Sequence, residues 1–331
     1  MLRLATIGTS WITGAFIDGA KLSGKFTLTA VYSRDAERGA AFALKHGAPK
    51  VFTDLAELAA SPDVDAVYIA SPNSLHYEQA KLLLDNQKHV LCEKPLTINS
   101  AYAQELFALA AKRGCILMEG ITLLHIPELA DFRAALGRIG KVKLAHFDFS
   151  RVSSKYRDYV EGRNPNIFNP AFATGTLMDI GVYCVYPALY LFGKPKAVSA
   201  SATFIDSGAD ASGASILEYD DLIAVLTYSK TTQGCDISEI QGDLGTILIK
   251  SIGTMSQVTL KLLDGTQEEI VSPREKSDQM RYIASDFHRF ITQPDQSAGE
   301  YQELCTLSVD VCQALRTLRR AAGIKFPCDI D

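Results

Sequence analysis

No cysteine in this chain belongs to a C-x-x-C pair, and the seven present are an odd number. That argues against a disulfide framework and against a thiol-rich zinc site; no metal is expected. The simplest setting for such thiols is the cytoplasm, buried or inert. Basic residues are not in excess either: 33 Lys and Arg stand against 38 Asp and Glu, a net charge of −5. Nucleic acid is therefore not expected as the main partner, because a phosphate backbone needs a basic face. A local basic pocket for a small phosphate ligand remains compatible with this balance. No apolar run approaches the roughly eighteen residues of a membrane-crossing helix, so no membrane partner is expected. Met1–Ile7 carries one Arg and a short strand-like run, not the longer apolar stretch and cleavage site of a secretory signal. The last four residues, Cys328-Asp329-Ile330-Asp331, match no lipidation or retention signal. Internal repeats and low-complexity tracts are missing too. With 47% hydrophobic and 21% charged residues the chain has the composition of a folded protein. Its 331 residues imply about two domains.

What is present first alternates strand and helix signals. Leu2–Ile7 is a short apolar strand ending at Gly8, and Trp11–Leu22 reads as a helix. Phe26–Tyr32 is rich in β-formers, and Asp35 is placed to cap a helix running to about His46. Val51-Phe52, Ala66–Ala70, His89–Cys92 and Cys115–Met118 follow as strands. Helices are expected over Leu55–Ala60, from Asn73 to about Asn86, and over Ala101–Arg113. Apolar strands separated by helices predict a parallel sheet covered on both faces. The pattern stops between Glu119 and Pro127, which predicts domains at 1–120 and 121–331. Beyond it, Lys141–Ser150 reads as a strand, and a helix begins near Thr176 and runs to Phe192. From Ala197 to Val271, strand signals separated by Ser207-Gly208, Asp220-Asp221, Gly242-Asp243 and Asp264-Gly265 predict an antiparallel sheet. Helices near Ser277–Thr292 and Gly299–Ala322 close the chain.

A strand that breaks at glycine and restarts as a helix offers free N–H groups and a positive dipole end to a phosphate. Here that loop is Gly8-Thr9-Ser10-Trp11-Ile12-Thr13, with Ser10 and Thr13 where a full G-x-G-x-x-G has glycine. An ordinary strand-to-helix turn reads equally well from these residues alone. After the second strand comes Tyr32-Ser33-Arg34 where an NAD site usually carries an acid. A guanidinium matches a 2′-phosphate in charge and fork geometry, and Ser33 adds a hydroxyl, which favours NADP over NAD. A surface Arg opening a helix is the plain alternative. Ser71-Pro72-Asn73 ends the next strand at the same sheet edge, with Asn73 able to cap a helix and His76 suited to a structural or cofactor-positioning role.

Glu93-Lys94-Pro95 places a lysine at the end of a buried strand, where partly apolar surroundings lower an ammonium pKa and let it relay protons. Pro95 fixes the backbone and is a candidate for a cis bond. A solvent-facing Lys in a turn is the alternative. Later, Gly175–Tyr183 sets Asp179 and Tyr183 four residues apart, on one face if Thr176 caps a helix. A carboxylate beside a phenol suits a hydroxylated substrate, and a phenol near a cation can exchange a proton. Against this, Thr176-x-x-Asp179 is also a capping box, which would make Asp179 structural, and Gly181 serves close packing equally well. Tyr156, Arg157, Arg163 and Phe168 are candidates to line a substrate pocket.

Taken in this order, the phosphate loop, Ser71-Pro72-Asn73 with His76, Glu93-Lys94-Pro95 and Gly175–Tyr183 resemble the Gfo/Idh/MocA oxidoreductase family, over essentially the whole chain. The Asp179–Tyr183 segment is most like the dihydrodiol dehydrogenase and glucose–fructose oxidoreductase branch. The resemblance implies an α/β fold: an N-terminal Rossmann dinucleotide-binding domain and a C-terminal α/β domain. That second domain has a large, mostly antiparallel sheet that serves as an oligomer interface. It implies that Lys94 and Tyr183 manage the proton of the reacting hydroxyl and that Asp179 holds the substrate. It also implies that Gly8, Thr9, Ser10, Trp11, Ile12, Ser33, Arg34, Ser71, Pro72, Asn73, His76, Glu93, Lys94 and Glu119 form the cofactor side. The departures are the two missing loop glycines, a shortened Ala173-Thr174-Gly175, and Leu123–Pro127 without the Arg that branch often carries.

The resulting expectation is an NADP-dependent oxidoreductase, with NAD as an alternative cofactor. Its substrate would be a sugar, polyol or trans-dihydrodiol, and its state a homodimer or higher oligomer. Two rivals stand beside it: a non-catalytic nucleotide-binding sensor and an NAD-dependent cyclitol dehydrogenase.

Overall fold

The computed structural model describes residues 1–329. Ile330 and Asp331, half of the C-terminal tetrapeptide considered above, lie outside the described residues. In chain order the protein begins β1 (Leu2–Ile7), α1 (Trp11–Ser23), β2 (Phe26–Tyr32), α2 (Ala36–His46), β3 (Lys50–Phe52), α3 (Leu55–Ala60) and β4 (Ala66–Ile69). It continues with α4 (His76–Asp85), β5 (His89–Glu93), α5 (Ser100–Arg113), β6 (Leu117–Gly120), α6 (Leu129–Arg138), β7 (Val142–Ser150), α7 (Tyr156–Val160) and α8 (Val182–Phe192). Then come β8 (Ala197–Phe204), β9 (Asp210–Glu218), β10 (Ile223–Ser229), β11 (Ile237–Gly242), β12 (Gly245–Lys250), β13 (Gln257–Leu262) and β14 (Gln267–Val271). The helices α9 (Lys276–Thr292) and α10 (Pro294–Ala321) follow. Two compact units result: Met1–His125 with Glu275–Val309, and Ile126–Arg274 with the chain from Asp310 onward.

In the first unit the strands form a six-stranded sheet ordered β3-β2-β1-β4-β5-β6, parallel throughout. Parallel strands must be covered on both faces, which explains why β4 is buried along its whole length. The order reverses at β1, and β4 and β5 lie on the far side of it. Ile7 aligns with Ile69 and Ile69 with Cys92, so the segments after these three strands emerge at one edge. That edge is where open α/β sheets hold ligands.

These units differ from the 1–120 and 121–331 division in two ways: the first runs on to His125, and Glu275–Val309 clusters with it, not with the second. The second difference is due to α9, whose Met280, Ile283, Ala284, Phe287 and Phe290 join Leu4, Phe16, Ala20, Phe26 and Tyr68 in one core. Phe16 stacks on Tyr68 with ring centroids 3.9 Å apart, tying α1 to the sheet. The α1–α9 contact is close because Gly19 faces it. A Cβ there would lie 2.4 Å from Met280 Cβ and 2.7 Å from Arg281 N.

The second unit is built on an eight-stranded sheet ordered β14-β13-β12-β11-β7-β10-β9-β8. All pairs are antiparallel except β7 with β10. Ala145, Phe147, Leu217, Leu226, Ile240, Ile247 and Leu260 point to its buried face. Alternation puts Leu144, Ile216, Ile223 and Ile237 on the other side, 37–49% exposed. The segment Pro170–Phe192, 23 residues, is by length and composition apolar enough to cross a membrane, but 67% of its most apolar window is buried inside the protein. Asp179, Gly181 and Pro187 interrupt it in the sequence, so it does not read as one apolar run.

Placing a methyl group at Gly19 overpacks the α1–α9 contact. Gly19→Ala is expected to lose about 1–3 kcal/mol of stability, seen as an earlier unfolding midpoint in urea. A midpoint equal to that of the wild type would contradict this packing.

Candidate active site

The β1–α1 loop turns on Gly8, which has φ +106 and no room for a side chain: a Cβ would lie 2.6 Å from the Ala70 carbonyl oxygen. Ser10 takes the N-cap position of α1, but its side chain caps no backbone N–H, and no acid occupies the first turn. Its hydroxyl lies 3.4 Å from that of Thr13. The first N–H groups of α1 thus keep the partial positive charge that suits a phosphate. Thr13, at a family glycine position, is buried, and the close packing passes to Gly14, where a Cβ would lie 3.1 Å from the His46 ring. Trp11 is 75% exposed beside this loop.

At the end of β2, Ser33 is buried, its hydroxyl accepts from the Asp35 N–H at 3.2 Å, and Arg34 is exposed. Asp35 caps α2 through the Arg38 N–H at 3.0 Å. The acid after Arg34 thus caps the helix, and the Arg34 guanidinium is exposed beside it. These residues fit a dinucleotide whose adenosine ribose carries a 2′-phosphate.

Three side chains converge on Glu93–Leu96, at the end of β5 and just after it. The Lys94-Pro95 bond is cis. The buried His76 ring sits between two carbonyls, with Nδ1 3.0 Å from Pro95 O and Nε2 3.0 Å from Ser71 O. Glu119 Oε1 accepts from the Leu96 N–H at 2.8 Å, and the Tyr68 hydroxyl donates to Glu93 Oε1 at 2.5 Å. Burial pushes the Glu93 carboxyl up, opposed by Lys94, the Tyr68 hydroxyl and Lys276. Burial also lowers the Lys276 ammonium at the start of α9, where Glu93 opposes it. His76 and Glu119, expected on the cofactor side, thus hold the backbone just after Lys94, while the Glu93 side chain before it is held by Tyr68. Ser71 donates to Gln79 Oε1 at 2.7 Å, and α4 starts at His76 with Leu75 at its N-cap, so Asn73 opens a short 3-10 turn and not α4.

In the second unit, Thr176 is not a cap. It is helical at φ −73, ψ −45, and its hydroxyl donates to the carbonyls of Asp210 and Ala211 at 2.8 and 2.9 Å. Asp210, from β9, takes the place of a cap by accepting the Leu177 N–H at 2.7 Å. A Cβ on Gly175 would fall 1.8 Å from Asp210 Oδ1, so this approach requires glycine. Burial raises the Asp210 carboxyl, against the Leu177 N–H and Lys230. Leu177–Gly181 forms a π turn leading into α8, so the four-residue spacing of an α-helix does not hold between Asp179 and Tyr183. Gly181 packs under Tyr228, whose ring atoms would lie 3.1 Å from a Cβ.

Asp179 is not in a capping box; its Oδ2 lies 2.7 Å from Lys230 Nζ, and its side chain is 32% exposed. The Tyr183 ring is half-buried beside Phe149, with centroids 5.6 Å apart. Of the expected pocket residues, Phe168 is fully buried, Arg157 pairs with Glu161, and Arg163 pairs with Asp158 and Glu161. Lys230, Asp210, Tyr68 and Lys276 carried no sequence signal, because each is far along the chain from the group it contacts.

The His76 imidazole is held below its usual value, chiefly by burial, with the Pro95 and Ser71 carbonyls opposing and Lys94 adding to the decrease. A lowered folded-state pKa contributes stability that is complete above the unfolded value of about 6.5 and is lost as pH falls through the lowered value. The wild type is expected to lose stability more steeply below about pH 6.5 than His76→Asn. Parallel stability curves in urea across that range would contradict a buried, neutral His76.

Known proteins resemble this chain along its whole length. An oxidoreductase-family model with an NAD-binding Rossmann fold, Gfo/Idh/MocA, matches residues 2–121, and a C-terminal domain model of the same family matches residues 133–248. A Bacillus subtilis (strain 168) relative, scyllo-inositol 2-dehydrogenase (NADP(+)), is 41% identical over 329 residues, 99% of each chain. The trans-1,2-dihydrobenzene-1,2-diol dehydrogenase of Sus scrofa is 26% identical over 99% of each chain. The crystal structure of a 3-ketoreductase from Actinomadura kijaniata, with TDP-benzene and NADP, aligns over 97% of this chain and 98% of that one, with TM-score 0.81 and 25% identity. With both domain models matched in order and a relative alike along its whole length, the chain belongs to the Gfo/Idh/MocA family of oxidoreductases.

Proposed function

We propose that the protein is an NADP-dependent dehydrogenase that oxidises one CH–OH group of a cyclic polyol, or reduces the matching ketone. The observation that carries this reading is Lys94, on a turn gripped by buried side chains at the ligand edge of a Rossmann sheet. Likeness to the B. subtilis scyllo-inositol dehydrogenase supports the polyol class, and inositol-type rings come first among candidates. Arg34 and Ser33 support NADP over NAD, as does the cofactor in that relative's name.

When bound, NADP supplies or accepts the hydride. The side chains have the remaining work. Tyr183 and Lys94 take the proton of the reacting hydroxyl, and Asp179 accepts hydrogen bonds from the substrate ring and so orients it. The first turn of α1 and Arg34 hold the phosphates. A non-catalytic sensor is not retained, since it has no use for Lys94, Asp179 and Tyr183 together. Free thiols at all seven cysteines support a cytoplasmic setting. The partly exposed Leu144, Ile216, Ile223 and Ile237 support a homo-oligomer that covers this sheet face.

Three variants test the assignment. Lys94→Ala is expected to lower kcat with an inositol by about 100-fold or more, and Tyr183→Phe to act in the same direction. NADPH affinity, read from the emission of the single Trp11, should change little in either. Undiminished turnover in a variant would remove that residue from the proton's path. Arg34→Ala is expected to weaken NADPH by about tenfold or more and NADH little. An equal loss for both cofactors would contradict the 2′-phosphate role.

A further inference from the structure

We propose that Lys230 is the positioning residue for Asp179, and that this buried ion pair fits the substrate site to uncharged polyols over their amino analogues. The inference rests on the polyol reading above.

Lys230 directly follows β10 and is 2% exposed, a rare position for a lysine. Its backbone N–H donates to Ala211 O at 3.0 Å, so its main chain is anchored beside β9. Its Nζ lies 2.7 Å from Asp179 Oδ2, donates to Ile167 O at 3.3 Å, and stands 5.5 Å from the Phe168 ring centroid. The other carboxyl nearby, Asp210, is engaged by the Leu177 N–H. Asp179 is therefore the carboxylate that Lys230 pairs. Removing one partner of such a pair leaves a charge with no compensation, which is costly.

The two ends of the pair differ in exposure. The ammonium is sealed off, whereas the Asp179 side chain remains 32% exposed. Lys230 thus acts through Asp179. It fixes the carboxylate's direction by holding one oxygen, and it cancels the net charge that a ligand meets. A compensated carboxylate still accepts hydroxyl hydrogen bonds, but it gives a cationic ring no net electrostatic advantage. Without the ammonium, the same carboxylate becomes an attractive anion for an amine.

The experiment compares kcat/KM for scyllo-inositol and its monoamino analogue in wild type, Lys230→Gln and Lys230→Arg, at a pH where the amine is charged. Wild type should prefer the inositol at least tenfold. Lys230→Gln should lose at least tenfold on the inositol, mainly through KM, and shift the amine-to-inositol ratio at least tenfold toward the amine. Lys230→Arg should restore both to within a few-fold. Circular dichroism and the unfolding midpoint in urea check that the second unit of each variant is folded, and Trp11 emission that NADPH still binds. Lower activity with an unchanged ratio would reduce Lys230 to a structural role and overturn the inference while leaving the polyol function intact. A wild type that prefers the amine overturns it too, and needs no variant to fold. A wild type that oxidises no cyclic polyol overturns the function itself and this inference with it.

Discussion

Four residues, Glu93–Leu96, are fixed by side chains from three other places in the first unit, and the candidate chemistry depends on that grip. His76 meets the Pro95 carbonyl, Glu119 takes the Leu96 N–H, and Tyr68 holds the Glu93 carboxylate. Each is buried or partly so, where an unmade hydrogen bond is expensive and a made one keeps its geometry. A lysine side chain has many rotamers, and a lysine that must meet one proton benefits from a backbone that does not move. The same grip links loops in sequence order: His76 also holds the Ser71 carbonyl, so the ends of β4 and β5 move together.

The second unit solves a similar problem differently. A π turn at Leu177–Gly181 is uncommon backbone, and it persists because Asp210 takes the Leu177 N–H and Thr176 bonds back to β9. Gly175 and Gly181 are small where Asp210 and Tyr228 come close. The segment carrying Asp179 and Tyr183 is therefore shaped by β9 and β10, not by its own helix propensity.

Much of the scaffold is legible in the sequence because it follows local rules. The bounds of β2 and α3, and the end of α2, coincide with the expected ones, since apolar runs, Asp caps and glycine stops act within a few residues. The strand expected at Cys115–Met118 lies instead at Leu117–Gly120, where pairing Leu117 with Val90 and Glu119 with Cys92 outweighs local preference. Long-range choices leave no such trace. Nothing local assigns α9 to the first unit, because its apolar stripe would suit any partner. Thr176 reads as a cap until Asp210, 33 residues later than Leu177, proves to hold the N–H a cap would take. The motif residues are legible in the sequence, but the bonds of His76 and Glu119 to the backbone beside Lys94, and the pairing of Lys230 with Asp179, are not.

The proposed function requires direct hydride transfer between a cyclic polyol and the cofactor. The measurement that tests it most directly uses scyllo-inositol deuterated on its ring carbons, with NADP and the wild-type protein, and follows the label by NMR. Deuterium is expected at C4 of the reduced nicotinamide, on one face only, together with a ketone in the ring. Reduced cofactor free of deuterium, or an inositol left unchanged while the protein is saturated with NADP, would contradict it.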